Sequence, residues 1–460
     1  MESSAQTYDV AVVGGGVVGI TIARSAVLAG LRVVLLETSP DLLTGASGSN
    51  SGIACTGVDA SDGTLERALI RDAISQIRGF CREHNVPNRP CGSLVCLWPW
   101  DADNDTGGGS SESPKHKLEE VARESWDAGD THAAILGSAE VDELEANLSR
   151  QCQGAVHIKG EIVLDPWLFP MALLVQAREN GLTVYTNFRY SAIDSVFDKK
   201  EKVWVVQKGK AASDSNLFTS NTSDTPVPDR IQARVVINAT GIDCDVSQSD
   251  TTDAPPATWE GRPRRGQYRI FNATDETRFN CPIQPVPNQF SKGIFVFSTL
   301  YNQIAVGPTA LDQESRVDRE PDKAVAEQLA DLGTKILPGL DPTVDFVGEY
   351  VGIRPGTDKR DYQIHAYPER RWISAAGIRS TGLTASLGIG RYVVKSLLPT
   401  MIDVSNGDCH ANANTAPLPS LENIIEDFKE RGDGYVSLYS KEYRVTHPLT
   451  ALGWKYHTAT

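Results

Sequence analysis

Residues 14–19, Gly14-Gly15-Gly16-Val17-Val18-Gly19, have the types and spacing to hold a diphosphate. In this G-x-G-x-x-G, Gly14 permits a tight turn, Gly16 admits a pyrophosphate against the backbone, and Gly19 lets the following helix pack closely on its strand. Val17 and Val18 open that helix, whose N-terminal N–H groups face the phosphates. Glu37, followed by Thr38, ends the next apolar run. An acid there accepts from ribose hydroxyls and repels a 2′-phosphate, which selects FAD or NAD over NADP. A second run, residues 44–57, is small and polar and contains Ser47, Asn50, Ser51, Gly52, Ile53 and Cys55. It lets backbone approach a large planar ligand and offers hydroxyls and N–H groups to phosphates and ring edges. Its alternative reading is a flexible Gly/Ser loop. Two further glycine turns follow apolar runs: Asn238-Ala-Thr-Gly241, and a later one holding Gly377, Gly382, Leu383 and Thr384.

These groups require particular elements to carry them. Residues 10–13 are β-branched and apolar, as a parallel strand buried on both faces must be. A helix from residue 17 to Gly30 and a strand over 32–36 complete a βαβ unit. Residues 373–376 predict a strand leading through a glycine turn into a helix over 385–398, whose positive end suits a flavin's pyrimidine side. From residue 264 onward short strands recur at 267–271, 293–299, 303–306 and 344–353, with a helix over 324–336, which predicts a mostly antiparallel sheet. Residues 92–98 read as a strand, 115–127 as a helix, and 202–208 with 231–239 as a hairpin. Residues 101–114 and 211–228 read as surface insertions. The expected fold class is α/β, of α+β two-domain type: a Rossmann-like dinucleotide-binding domain (1–90, 151–261 and 350–402) with a central parallel sheet, interleaved with a substrate domain (91–150 and 262–349). An extension over 403–460 carries an amphipathic helix at 417–430 and a strand at 434–439. Residues 445–454 are too apolar for a free tail and are expected to pack on the body or on a second subunit of a homo-oligomer. His447 within them reads as structural.

Bulk properties narrow the function. Forty-four Lys plus Arg against 59 Asp plus Glu give a net charge of −15 over 460 residues. With no basic run, nucleic acid is not an expected partner. No stretch approaches the roughly 18 apolar residues of a membrane span. The eight cysteines lack C-x-x-C spacing, which favours free thiols in a cytoplasmic protein over disulfides, a zinc site or an iron–sulfur cluster.

The chain resembles the FAD-dependent oxidoreductases of the D-amino-acid oxidase superfamily, in the branch of glycerol-3-phosphate dehydrogenase and L-2-hydroxyglutarate dehydrogenase. The likeness covers about residues 9–398. It rests on the G-x-G-x-x-G unit, residues 45–53, Asn238-Ala-Thr-Gly241, Arg264-Arg-Gly-Gln-Tyr268, Gly352-Ile-Arg-Pro355 and Gly377-Ile-Arg-Ser-Thr-Gly-Leu-Thr-Ala-Ser386. The resemblance implies an FAD enzyme in which Gly14, Gly16, Gly19 and Glu37 hold the ADP part. Ser47, Asn50, Ser51, Gly52 and Ile53 would line the pyrophosphate and isoalloxazine, and Gly241, Gly377, Gly382, Leu383 and Thr384 would close around the flavin. Arg354 is the expected anchor for a substrate anion, because a guanidinium matches carboxylate or phosphate bidentately; the alternative is pairing with Asp361 or Glu349.

The sequence departs from its relatives at two positions. Cys55 stands where they carry a histidine, the usual proton acceptor for an alcohol; it reads as a thiolate base, a covalent flavin attachment or a passive small residue. Gln267 stands for their glutamate. Tyr268, Tyr301 and His365 remain as proton-moving candidates. The resulting expectation is oxidation of a small anionic metabolite at C–OH, with amine oxidation and a non-catalytic flavoprotein as alternatives, and with oxygen, a quinone or another carrier as electron acceptor. A flavin monooxygenase is disfavoured because the late segment lacks its Gly-Asp pair, and an NAD dehydrogenase because it needs neither the 45–57 loop nor the late glycine turn.

Overall fold

The computed structural model describes residues 7–58, 60–101, 114–209, 226–248, 252–287, 293–404 and 417–457. The two expected surface insertions lie almost entirely outside these.

Tyr8–Val13 and Val33–Leu36 are the paired parallel strands the apolar runs require, and Val17–Leu28 is the helix between them. Five strands run parallel, in the order Thr183–Tyr185, Val33–Leu36, Tyr8–Val13, Arg230–Asn238, Trp372–Ala376. Val33–Leu36 and Trp372–Ala376 are buried at every position, as strands covered on both faces must be. The expected hairpin appears as Val203–Lys208 against the first half of Arg230–Asn238, with Tyr190–Asp198 outside it. The second half of Arg230–Asn238 switches to Trp372–Ala376, so its glycine turn and the Gly377 turn emerge side by side beyond the same strand ends.

Among the described residues the second sheet has nine strands and is antiparallel except where Ile283–Pro285 runs parallel to Ser93–Cys96. Its longest ladder joins Gly261–Asn272 to Phe346–Thr357. The expected boundary at 349/350 therefore falls inside one strand of the antiparallel sheet. Gly154–Ile158, assigned to the dinucleotide-binding part, also belongs to this sheet through Ser93–Cys96. Both strands are apolar alternations whose partners lie far away in sequence, so local pattern could not place them.

The extension packs on the body of the same chain. It forms the helices Leu421–Arg431 and Pro448–Tyr456 and a hairpin between them. Trp454 is fully buried edge-on against Trp167 and Phe428, with ring centroids 5.8 and 5.3 Å apart. His447 caps the last helix, its Nδ1 accepting from the Leu449 N–H at 3.2 Å. Burial holds its pKa down to about 3. An unfolded imidazole titrates near ~6.5, so between these values the unfolded chain binds the extra proton and stability falls as pH falls. The slope contributed is at most about 1.4 kcal/mol per pH unit. His447→Asn keeps a cap acceptor and removes the titration. Guanidinium unfolding measured below about pH 6.5 is expected to show a shallower acid loss for the variant, by about one proton; equal slopes would refute the assignment.

Candidate functional site

A single cleft of about 1770 Å³ runs from the tips of the parallel strands to the face of the antiparallel sheet. It exceeds the ~300–1,000 Å³ of a drug-sized ligand site and has room for a dinucleotide and a small substrate. Two helix N-termini, those of Val17–Leu28 and Gly382–Tyr392, open onto it with no cap from their own N-cap residues. Such ends present N–H groups and partial positive charge to an anion. Gly14 has φ +113°, and a Cβ there would lie 2.3 Å from the Ala239 carbonyl oxygen, so the first turn and the Ala239–Gly241 turn meet backbone to backbone. Glu37 accepts from the N–H of Gly15 at 2.6 Å and of Ser39 at 2.8 Å. Burial raises its pKa, and these donors oppose the rise.

The polar loop closes the middle of the cleft. Ser47 Oγ accepts from the Val17 N–H at 3.0 Å, tying the loop to the first helix start. Asn50 donates to the Ser47 carbonyl and accepts from the Gly52 N–H, both at 2.8 Å. Cys55 N–H donates to Thr384 Oγ1 at 3.3 Å, which ties the loop to the second helix start.

Beyond the loop, the ladder between Gly261–Asn272 and Phe346–Thr357 forms the floor. Opposed residues share a face, and the pairs Arg264↔Arg354, Gly266↔Gly352 and Tyr268↔Tyr350 all belong to the cleft face. Gly352 lies against Ser49 of the loop, and Gly266 lies under the Arg354 guanidinium, where a Cβ would come within 2.8 Å of Nη2. Arg354 donates to the carbonyls of Thr309, at 2.9 Å, and Arg265, at 3.5 Å. No carboxylate pairs with it among the described residues: Asp361 caps the helix Leu65–Glu83 through the N–H groups of Leu65 and Glu66, and Glu349 takes the Gln267 amide. Burial lowers the Arg354 pKa, Tyr268 raises it and Arg264 lowers it, so an anion in the cleft would relieve a desolvated charge. Tyr268 stacks on Tyr350 at 4.5 Å. Its phenol is pushed up to about 12 by burial, against the lowering effects of Arg354 and of a hydrogen bond with Ser51. It is therefore a neutral donor near pH 7.

The structure brings Gly14, Gly16, Val17, Val18, Glu37, Thr38, Ser47, Asn50, Ser51, Ile53, Gly241, Gly377, Gly382, Leu383, Thr384, Tyr268 and Arg354 to this one cleft, with Cys55. Three expected residues lie behind it. Gly19 backs the turn, where a Cβ would lie 1.9 Å from the Gly14 carbonyl oxygen, and Gly52 sits at φ +70° against the Leu164 carbonyl. Tyr301 is a correction: it is buried in the body, its hydroxyl donating to Asp165 at 2.6 Å, with Thr450 on the same carboxylate. His365 also stays away, stacked on Trp259 and bonded to Gln363. Gln267 faces away from the cleft and clamps both backbone groups of Asp322, at 3.0 and 2.8 Å, so the missing glutamate removes nothing from the site.

Cleft residues that the sequence did not assign include Arg264, Arg319, Glu161 and Gln284. The alternation 264, 266, 268 could have found Arg264, which pairs with Asp312 at 3.3 Å. Arg319 reaches the Thr44 carbonyl at 3.0 Å, and no local pattern announces it.

A parallel-sheet dinucleotide groove opening onto an arginine-bearing antiparallel floor defines a two-sheet nucleotide-dependent oxidoreductase. Residues 9–396 match the family model for FAD dependent oxidoreductases (DAO), and the chain belongs to that family, with FAD as its cofactor. It is 28% identical over 426 residues to the glycerol 3-phosphate dehydrogenase of Caloramator mitchellensis, covering 92% of this chain and 80% of the relative. It is 25% identical over 406 residues to the glycerol 3-phosphate oxidase of Mycoplasma pneumoniae, covering 85% and 95%. The solved structure of the L-alpha-glycerophosphate oxidase of Mycoplasma pneumoniae with FAD bound has the same fold, with a TM-score of 0.74 at 23% identity over 90% of this chain and 100% of that one. The two helix starts, the Gly14 turn and Glu37 fit such a dinucleotide.

Proposed function

We propose that this protein oxidises a small anionic metabolite at a C–OH bond, of the 2-hydroxy-acid or glycerol-phosphate kind. The observation that carries the reading is Arg354, a half-buried guanidinium on the cleft face that donates only to backbone carbonyls among the described residues. Its planar donors suit a carboxylate or phosphate, and the contact of Gly352 with Ser49 sets it beside the cofactor loop. FAD would supply the electron sink for the donor's hydride. The protein's part is to hold the donor's anion on Arg354, to place Tyr268 as a hydrogen-bond donor beside it, and to keep bulk water from the reacting carbon. Gly16, Gly241 and the two helix starts are assigned to the phosphates, and Glu37 to the ribose.

Amine oxidation is the second reading, favoured by Cys55: no histidine lines the cleft among the described residues, and a neutral amine needs no strong base. Oxygen, a quinone or another carrier reoxidises the flavin. No helix among the described residues is long and apolar enough to cross a membrane, and the seven described cysteines form no disulfide with one another, which supports a cytoplasmic placement.

The test is the visible spectrum of the purified protein during anaerobic titration with glycerol 3-phosphate, L-2-hydroxyglutarate, sarcosine and several amino acids. Bleaching by one anionic donor is the expected result. A bound flavin that none of them bleaches would count against the reading and favour a non-catalytic role.

A further inference from the structure

The cleft carries an acid that no motif assigns. Glu161, only 2% exposed, sits in the turn between Gly154–Ile158 and Ile162–Leu164. The pairs Ile53↔Val163 and Ala54↔Ile162 set it one step further on, opposite Cys55. The turn is clamped: the Gly92 N–H donates to the Glu161 carbonyl at 3.0 Å, and a Cβ at Gly160 would lie 2.3 Å from Thr56 Cγ2. Gln284 Nε2 donates to Glu161 Oε2 at 3.0 Å. Ile283 pairs with Val296, which sets Gln284 beside Phe295; Phe295 pairs with Gly307, and Gly307 abuts the Tyr268 ring. Glu161, Gln284, Phe295, Tyr268 and Arg354 all line the one cleft.

We propose that Glu161 takes the proton from the donor's hydroxyl or amine while Arg354 holds its anion, an inference that rests on the donor reading above. Several of the other cleft groups are committed elsewhere. Tyr268 keeps its proton, Asp243 and Asp312 pair with Arg316 and Arg264, and Glu37 is held at the strand tip by Gly15 and Ser39. The step balances as a two-electron oxidation. The donor's O–H or N–H bond breaks, its proton passes to a Glu161 carboxylate oxygen, and its electron pair forms the new C=O or C=N bond. The C–H bond breaks with both electrons passing to FAD, so the donor is oxidised and the flavin reduced. Gln284 orients the carboxylate.

Glu161→Gln preserves shape and an acceptor oxygen but takes no proton near pH 7. The holoprotein variant is compared with wild type using glycerol 3-phosphate, L-2-hydroxyglutarate and sarcosine, for flavin content, for donor affinity from thermal shift, and for the rate of anaerobic bleaching. Expected are unchanged flavin, affinity within about threefold, and bleaching slowed by about 10²–10⁴-fold, with Glu161→Asp recovering part of the rate. Gln284→Leu, which leaves the acid and removes its donor, is expected to slow bleaching at full flavin content even if E161Q folds poorly. Wild-type bleaching rates in both variants overturn the proposal, as does equal loss of affinity and rate in E161Q. If R354A loses affinity while E161Q bleaches normally, only the role of Glu161 falls; if no donor bleaches the wild type, the donor reading falls with it.

Discussion

Arg354→Ala is expected to raise KM for the anionic donor by about 30- to 700-fold, the loss of roughly 2–4 kcal/mol of charge-assisted binding. The magnitude is large because the guanidinium is partly desolvated and its two hydrogen bonds go to neutral carbonyls. An incoming anion therefore meets a desolvated charge rather than breaking an ion pair. Flavin content is expected to stay at the wild-type level, since Arg354 bonds to Thr309 and Arg265 and to neither glycine turn nor the polar loop. Arg354→Lys should recover only part of the affinity, because an ammonium is a point charge and loses the planar fork. Steady-state kinetics with the identified donor, run beside a flavin-to-protein ratio, measures both quantities. Flavin lost in proportion to activity would remove Arg354 from the substrate and make it part of the cofactor site.

Gly14→Ala is expected to lower bound flavin at least tenfold. Two costs combine at this position. A φ of +113° strains any residue with a Cβ by about 1–3 kcal/mol, and that Cβ would stand 2.3 Å from the Ala239 carbonyl oxygen and 2.7 Å from its carbon. Relief requires the Ala239–Gly241 turn to shift, and that turn lines the same cleft. Gly181→Ala is the control: its φ is +99° with nothing within 4 Å of the added Cβ, so it carries the strain without the collision. The control should lose some thermal stability and keep its flavin. Equal flavin content in the two variants would show that the collision is absorbed locally and would refute the coupling of the two turns.

The glycine spacing, the acid after the second strand and the three polar or glycine-rich turns were legible because each is a local backbone requirement. A positive φ at Gly14, a helix start at Val17 and an apolar strand before them are written within a few residues of one another. Arg354 was legible through its turn, and the structure excludes the competing pairing by giving Asp361 and Glu349 other partners. Tyr301 looked equally suitable and was not, because its hydroxyl meets Asp165 and Thr450 from distant segments. The boundary at residue 350 failed for a related reason: a strand's pattern shows which face is buried but not which strand it joins.

From local chemistry the chain's own order determined a dinucleotide cofactor, the alternation of parallel and antiparallel parts, and the arginine proposed to hold an anion. Only tertiary structure decided that Gly352 rests on Ser49, which carries Arg354 to the cofactor loop, that Gln267 turns its back on the cleft, and that Glu161 faces Cys55 beside Gln284. Those placements depend on strand pairings between segments far apart in sequence. Such pairings are selected by the burial of whole sheet faces rather than by the residues next to the site.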